Sequence, residues 1–312
     1  MTRRGWLLFL AVGVIWGLPY LLIRVSVREV SPALLVFMRT GGAALLLGPI
    51  ALARGVLRPV LRRWRPVLAF TVVEMGVPWL LLFHAEEKLS SSLAGLLIAA
   101  VPLVAAVLAW ATGSERLDFR RVVGLLVGFG GVAALVGFAV RSNDLASALS
   151  LVIVACGYAL GPWILSRHLS DLPGLGVIAA SLIACAVLYA PIAAFEMPAR
   201  SLTGSVIWSI VGLTVVCTAA AFLLFFALIG EVGASRATVI TYVNPAVAVV
   251  LGVLVLDERF SGATGVGFGL ILVGCLLATR SVAEPSPSPA VSPVTSPPGP
   301  SSDTSSDEHS AM

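Results

Sequence analysis

Runs of about twenty apolar residues, separated by short charged or Pro/Gly-rich interruptions, recur almost from one end of this chain to the other. Each is long enough to cross a hydrocarbon core about 30 Å thick as a helix. The runs are continuous rather than alternating apolar with polar, which argues against an outer-membrane barrel. They predict ten spans, near 6–24, 32–53, 66–84, 90–111, 121–139, 146–166, 174–194, 205–228, 233–255 and 262–279. The expected fold class is all-α integral membrane with ten transmembrane helices. Charged residues make up 12% of the 312, against about a quarter in a soluble globular chain.

The formal net charge of +4 is no nucleic-acid signature, because the cations track the interruptions. Arg3 and Arg4 precede the first span. Arg54, Arg58, Arg62, Arg63 and Arg65 lie between the second and third, and Arg116, Arg120 and Arg121 between the fourth and fifth. If the spans alternate, these segments share one side, and the positive-inside rule puts both termini in the cytoplasm. The expected surroundings are a lipid bilayer, with no nucleic-acid partner.

Cys156, Cys185, Cys217 and Cys275 all fall within spans at spacings unlike a metal site, and read as small buried hydrophobes. The start, "MTRRGWLLFLAVGVIWG", has the outline of a signal peptide but no small-residue cleavage site, so it reads as a retained first helix. The Pro/Ser-rich segment 281–312 has almost nothing large and apolar to bury, and is expected to be a disordered cytoplasmic tail.

The chain is also duplicated. Pro102 and Pro245, and Glu115 and Glu258, are each separated by 143 residues; at that offset 72–134 match 215–277 at 17 of 63 positions without a gap. A composition this rich in Leu, Ala, Val and Gly would give roughly six by chance. The same offset pairs Pro19 with Pro162 and Arg24 with Arg167. Five spans per copy is an odd number, so the second copy enters the membrane upside down. Such inverted repeats are common in secondary transporters, with the substrate site near the midplane between the halves. The expected division is a first repeat over 1–139, a second over 140–280, and the tail.

"IWGLPYLLIR", "PALLVFMR", the two Pro-to-Gly segments 102–124 and 245–267, and above all "ASRATVITYVNPAVAVVLGVLVLDERFSGATGVGFGLILVG" resemble the EamA-type transporters of the drug/metabolite transporter superfamily. The resemblance covers about residues 6–279. It implies ten helices in two five-helix halves, cytoplasmic ends, and movement of small metabolites or drugs. The first copy departs from the usual pattern with "ATGSER" before its fifth span, although Glu115 still fills the acidic position.

Two fully ionising groups sit well within the spans: Arg39 in "LLVFMRTGGAALLL" and Glu74 in "FTVVEMGVPW". A lone charge at the bilayer centre costs about 2.5–3.5 kcal/mol on insertion scales, so each needs a partner or a wet cavity. Counting 1.5 Å per residue from the two faces, their depths differ by roughly 8 Å, which two long side chains can bridge. Their counterparts are Leu182 and Cys217, so both charges are missing from the second copy together. That pattern fits either an ion pair fixing the helices or a direct functional role. In the functional reading Glu74 carries a proton, since arginine stays charged. Arg39 would bind a substrate carboxylate or phosphate. His84, followed by "AEEK", reads as a solvated interfacial histidine, and Glu115 and Glu258 as caps at the heads of the fifth and tenth spans.

Pro19, Pro102, Pro162 and Pro245 are expected to break helices 1, 4, 6 and 9 at symmetry-related points around a cavity. Trp16, Tyr20, Trp79, Trp163, Tyr242 and Asn244 complete the candidate substrate lining, while Trp6, Trp64 and Trp208 read as interfacial anchors. Gly124 with Gly128, and Gly265 with Gly269, have small-xxx-small spacing for close helix contact.

The functional expectation is a secondary transporter, an exporter of small organic metabolites or drugs across the cell membrane by alternating access, with proton coupling through Glu74. No cofactor or metal is called for, and the partner is a small-molecule substrate. The spans contain neither a catalytic membrane motif nor a P-loop. An integral-membrane enzyme acting on a lipid-linked substrate, and a channel or scaffold, stay open as alternatives.

Overall fold

The computed structural model describes residues 2–114, 118–141, 144–198, 200–232 and 238–279. The expected disordered tail and Glu115 lie outside them. The described residues form helices and no strand. We label the membrane-crossing segments α1 (Arg3–Ser26), α2 (Pro32–Ala53), α3 (Trp64–Glu86), α4 (Ser91–Ala111), α5 (Phe119–Arg141), α6 (Leu145–His168), α7 (Gly174–Phe195), α8 (Gly204–Val232), α9 (Ile240–Leu256) and α10 (Gly262–Thr279). Among the described residues, nine are long and apolar enough to cross a membrane; α9 is the shorter apolar tenth.

Local chemistry sets the ends. Pro32 opens α2 where its missing N–H costs nothing. The Ser31 hydroxyl accepts the Leu34 N–H at 3.3 Å, and Gly55, at φ 67°, follows the helix end. Ser90 caps α4 in the same way, accepting from Leu93. Trp6, Trp64 and Trp208 are exposed.

The most extensive helix pairings are α5 with α10 and α2 with α7, each joining a helix to its own repeat counterpart. Glycines set the α5–α10 approach, but not all in the expected register. A Cβ at Gly124 would meet the Ala278 nitrogen at 2.7 Å, and one at Gly131 the Gly267 carbonyl at 2.6 Å. Gly274 packs directly on Gly128, whereas Gly265 meets only the Phe260 ring and Gly269 faces open space. The symmetric contact set in α10 is therefore Gly267 and Gly274, counterparts of Gly124 and Gly131.

Three of the four prolines stand at interruptions of their helices. α1 breaks at Trp16–Gly17 ahead of Pro19, α4 breaks at Ala99–Ala100 ahead of Pro102, and Pro245 opens the regular part of α9 after a 3-10 turn over Thr238–Tyr242. Pro162 does not: α6 runs unbroken from Leu145 to His168, absorbing one lost backbone bond within six turns or so of helix. Two further helices, α3 and α8, depart from regular α-helical hydrogen bonding. Each contains a π-helical segment, Thr71–Gly76 and Gly212–Ala220, at points matching under the 143-residue offset.

Polar contacts tie the halves on both faces. On the face holding the Arg54–Arg65 segment, Arg63 makes a bidentate ion pair with Asp171 at 2.7 and 2.8 Å and donates to the His168 carbonyl. On the opposite face, the Thr203 N–H and hydroxyl donate to Glu29 at 2.8 and 2.7 Å, and the Ser31 hydroxyl to Glu196 at 2.5 Å.

Candidate functional site

Arg39 lies at the junction of the two halves, only 6% exposed. The sequence "RTGG" puts it one turn before Gly42, where α2 presses against α8: a Cβ at Gly42 would sit 2.6 Å from Thr214 Cγ2. This approach brings Arg39 Nε within 2.9 Å of the Thr218 hydroxyl, which itself donates to the Leu213 carbonyl at 2.7 Å inside the π-helical turn. The guanidinium lies 3.8 Å from the Trp79 ring centre and 6.0 Å from that of Phe83. A cation over an aromatic face is attracted by the ring's quadrupole, more strongly where water is excluded. Only Nε is used in a hydrogen bond; the two Nη groups make none among the described residues.

Glu74 turns the other way. It stands in the π-helical turn of α3 and packs on Gly161 of α6, where a Cβ would overlap its carboxylate and come within 2.8 Å of Cδ. Its Oε2 is buried and has no hydrogen-bond partner. The ion pairs among the described residues are Arg63–Asp171 and His84–Glu87, so the Arg39–Glu74 pair that the sequence allowed is not made. The physical reason is that Trp79, one turn further along α3, occupies the space facing Arg39, while α6 presents its glycine to Glu74. Tyr158 of α6 lies within range of both Glu74 and Arg39. Tyr20 of α1 is buried within range of Arg39, Tyr158 and Glu86.

Arg39, Trp79 and Tyr20 thus lie together, with Thr218, which the sequence did not single out, while Glu74 packs apart from them against α6. The other candidates lie apart. Trp16 packs on Phe222 and Phe225 at 5.8 and 4.7 Å. Trp163 meets Arg167 and His168 near the end of α6. The Tyr242 hydroxyl is 3.3 Å from that of Thr279. The Asn244 amide, with its nitrogen facing the acceptors, donates to Gly13 and Ile240 carbonyls at 3.0 Å each. Gly13 needs that donor because Gly17 N–H bonds Val14 at the break in α1.

At the end of α3, His84 is exposed and 3.7 Å from Glu87, as a solvated histidine should be. Its neighbour Glu86 is fully buried with both carboxylate oxygens unpartnered. The signal was there: Glu86 continues the buried stripe of Trp79, Leu82 and Phe83 at helical spacing. Glu258 is a cap, though not of its own helix α10. Asp257 adopts φ 53° and turns the chain back. Glu258 then accepts the Ser91 and Ser92 N–H groups at 2.7 and 2.9 Å and the Ser92 hydroxyl at 2.5 Å, closing the start of α4.

A family model described as the EamA-like transporter family matches this chain twice, over residues 3–137 and 145–280. The chain is 26% identical over 289 residues to the uncharacterized transporter YvbV of Bacillus subtilis, covering 91% of this chain and 94% of that one. It is 27% identical over 293 residues to the uncharacterized inner membrane transporter YedA of Escherichia coli K12, covering 91% and 93%. A crystal structure 24% identical in sequence superposes with a TM-score of 0.65 over 89% of this chain and 98% of that one, an independent likeness of fold. With two repeats, an all-α membrane fold and transporter relatives along nearly its whole length, the chain belongs to the EamA-like transporter family.

Proposed function

We propose that the protein is a secondary carrier, not an enzyme, that exports small organic metabolites or drugs bearing a carboxylate or phosphate. In this reading it sits in the cell membrane with both termini and the Arg54–Arg65 segment in the cytoplasm, where excess Arg is retained. The observation that carries the reading is the free fork of Arg39. It is buried at the junction of the halves, stacked on Trp79 and held at Nε, with both Nη groups uncommitted. A guanidinium so positioned matches an anionic group in bidentate fashion. Glu74, buried against α6 and unpartnered at Oε2, takes up the proton that drives the cycle. Alternating access follows from the inverted repeat, the halves exchanging conformations so that the site meets either face.

The test is thermal stabilisation of the purified protein by a panel of metabolites, followed by transport of the hits in proteoliposomes under a pH gradient. Anionic hits, saturable counterflow, and severe loss of transport in Arg39→Leu and Glu74→Gln variants that still insert are expected. Wild-type transport by both variants would remove the site assignment. Non-saturable flux without counterflow would make the protein a channel.

A further inference from the structure

One carboxylate of the bundle has no place in that cycle. Glu86 ends α3 at 0% exposure, and neither of its oxygens has a hydrogen-bond partner. The titratable and charged groups around it come from several elements: Arg24 and Tyr20 of α1, Arg39 of α2, Tyr158 of α6, and Glu258 between α9 and α10. On its own side, His84, Glu87 and Lys88 are exposed. The Arg24 guanidinium stands beside it yet donates to the backbone carbonyl of Glu86, not to its carboxylate. Glu258 is committed to Ser91 and Ser92, and the buried Ser91 hydroxyl is itself unpartnered. A buried ionised carboxylate without donors is so unfavourable that such a group is held neutral instead.

We propose that Glu86 is a second proton-binding site, separate from Glu74, which exchanges its proton with water on the face opposite the arginine-rich one. The opening step rests on the alternating-access reading above. When that face opens, water reaches Glu86 and the acid O–H bond breaks. The proton leaves to water, and the electron pair stays on a carboxylate now facing Arg24. When the face closes, the carboxylate takes a proton back from water and Glu86 is sealed in as the neutral acid. Closure of that face is thereby linked to protonation there.

Infrared spectra of the full-length protein in lipid nanodiscs, followed through a pH titration, read the neutral acid directly by its C=O stretch and need no substrate. In a Glu74→Gln background, an acid band is expected at neutral pH that Glu86→Gln removes and Glu86→Asp shifts. If neither substitution changes the acid bands, Glu86 is ionised and the proposal fails, whatever becomes of Glu74. If sodium in place of choline bleaches the band at constant pH, the site binds a metal cation and the proton assignment is overturned. Should Glu86→Gln fail to insert, the Glu86→Asp shift alone decides. If, with Glu74 intact, no further acid band appears that Glu74→Gln removes, while the Glu86 band is present, the result counts only against the role of Glu74.

Discussion

α3 and α8 are the same helix twice, and both widen into a π-helical turn at the same place. They reach it by different chemistry. In α3, Pro78 has no N–H to give the Glu74 carbonyl. In α8 the matching residue is Ala221, and the Thr218 hydroxyl takes the Leu213 carbonyl instead. The widened turn is thus a shape that both halves keep, of a kind often found at functional sites. The side chains it displays are not shared: Glu74 stands where α8 has Cys217, and Arg39 of α2 where α7 has Leu182. The duplicated backbone supplies a frame able to exchange its two states, and the unshared residues supply the chemistry. A substrate has no twofold symmetry, so a site for it must break the symmetry of the frame.

The largest effect is expected from giving α3 the residue of α8. Glu74→Cys should reduce flux driven by a pH gradient to background while substrate-for-substrate exchange persists, measured in proteoliposomes. Full retention of gradient-driven flux would deny Glu74 its role. A smaller effect is expected from the glycine that accommodates Glu74. Gly161→Ala overpacks the α3–α6 contact and should cost about 1–3 kcal/mol of stability. Gly269→Ala, with nothing within 4 Å of the added atom, should stay within about 0.5 kcal/mol. Thermal melting of the two variants side by side checks both.

Thr218→Val should cost about 1 kcal/mol for the bonds to Arg39 and Leu213. It should also loosen the guanidinium, seen as weaker substrate binding with unchanged expression. The smallest effect concerns the contacts on the opposite face. The Thr203 N–H, and then its hydroxyl, hold the exposed Glu29 carboxyl below its usual value of 4.5. Because that pKa is depressed in the folded protein, the contact contributes above the usual value and is lost as pH falls through the lowered one. Melting curves below pH 4.5 should therefore differ less between Glu29→Gln and wild type than curves at neutral pH.

Much of this frame was legible in the residues. Apolar run length fixed the spans, and the 143-residue offset exposed the duplication, because both depend on composition and order alone. Direction around a helix is harder to read within an apolar run. Arg39 and Glu74 lie at bridgeable depths, yet Trp79 stands between Arg39 and the rest of α3 while Gly161 draws Glu74 to α6. The apolar pattern of "FTVVEMG" and "GLTVVCTAA" does not separate a π-helical turn from an α-helical one; only Pro78 and Thr218 mark the places. The polarity of Asn244 has a local partner that its position in the sequence does not show: with its amide nitrogen facing the acceptors it donates to Gly13, a carbonyl freed by a break in a distant segment. Glu86 was hidden by its charged neighbours, although its spacing from Trp79 and Phe83 pointed inward.

Substrate recognition in this carrier depends on the free fork of Arg39. Binding of anionic metabolites to purified wild-type and Arg39→Lys protein, compared by thermal stabilisation, tests it most directly. Lysine keeps the charge but loses the planar pair of donors. A charge-assisted hydrogen bond is worth about 1.5–3 kcal/mol, so affinity should fall roughly 10- to 100-fold while the protein remains folded. Equal affinity in the two proteins, or stabilisation by cationic solutes alone, would contradict it.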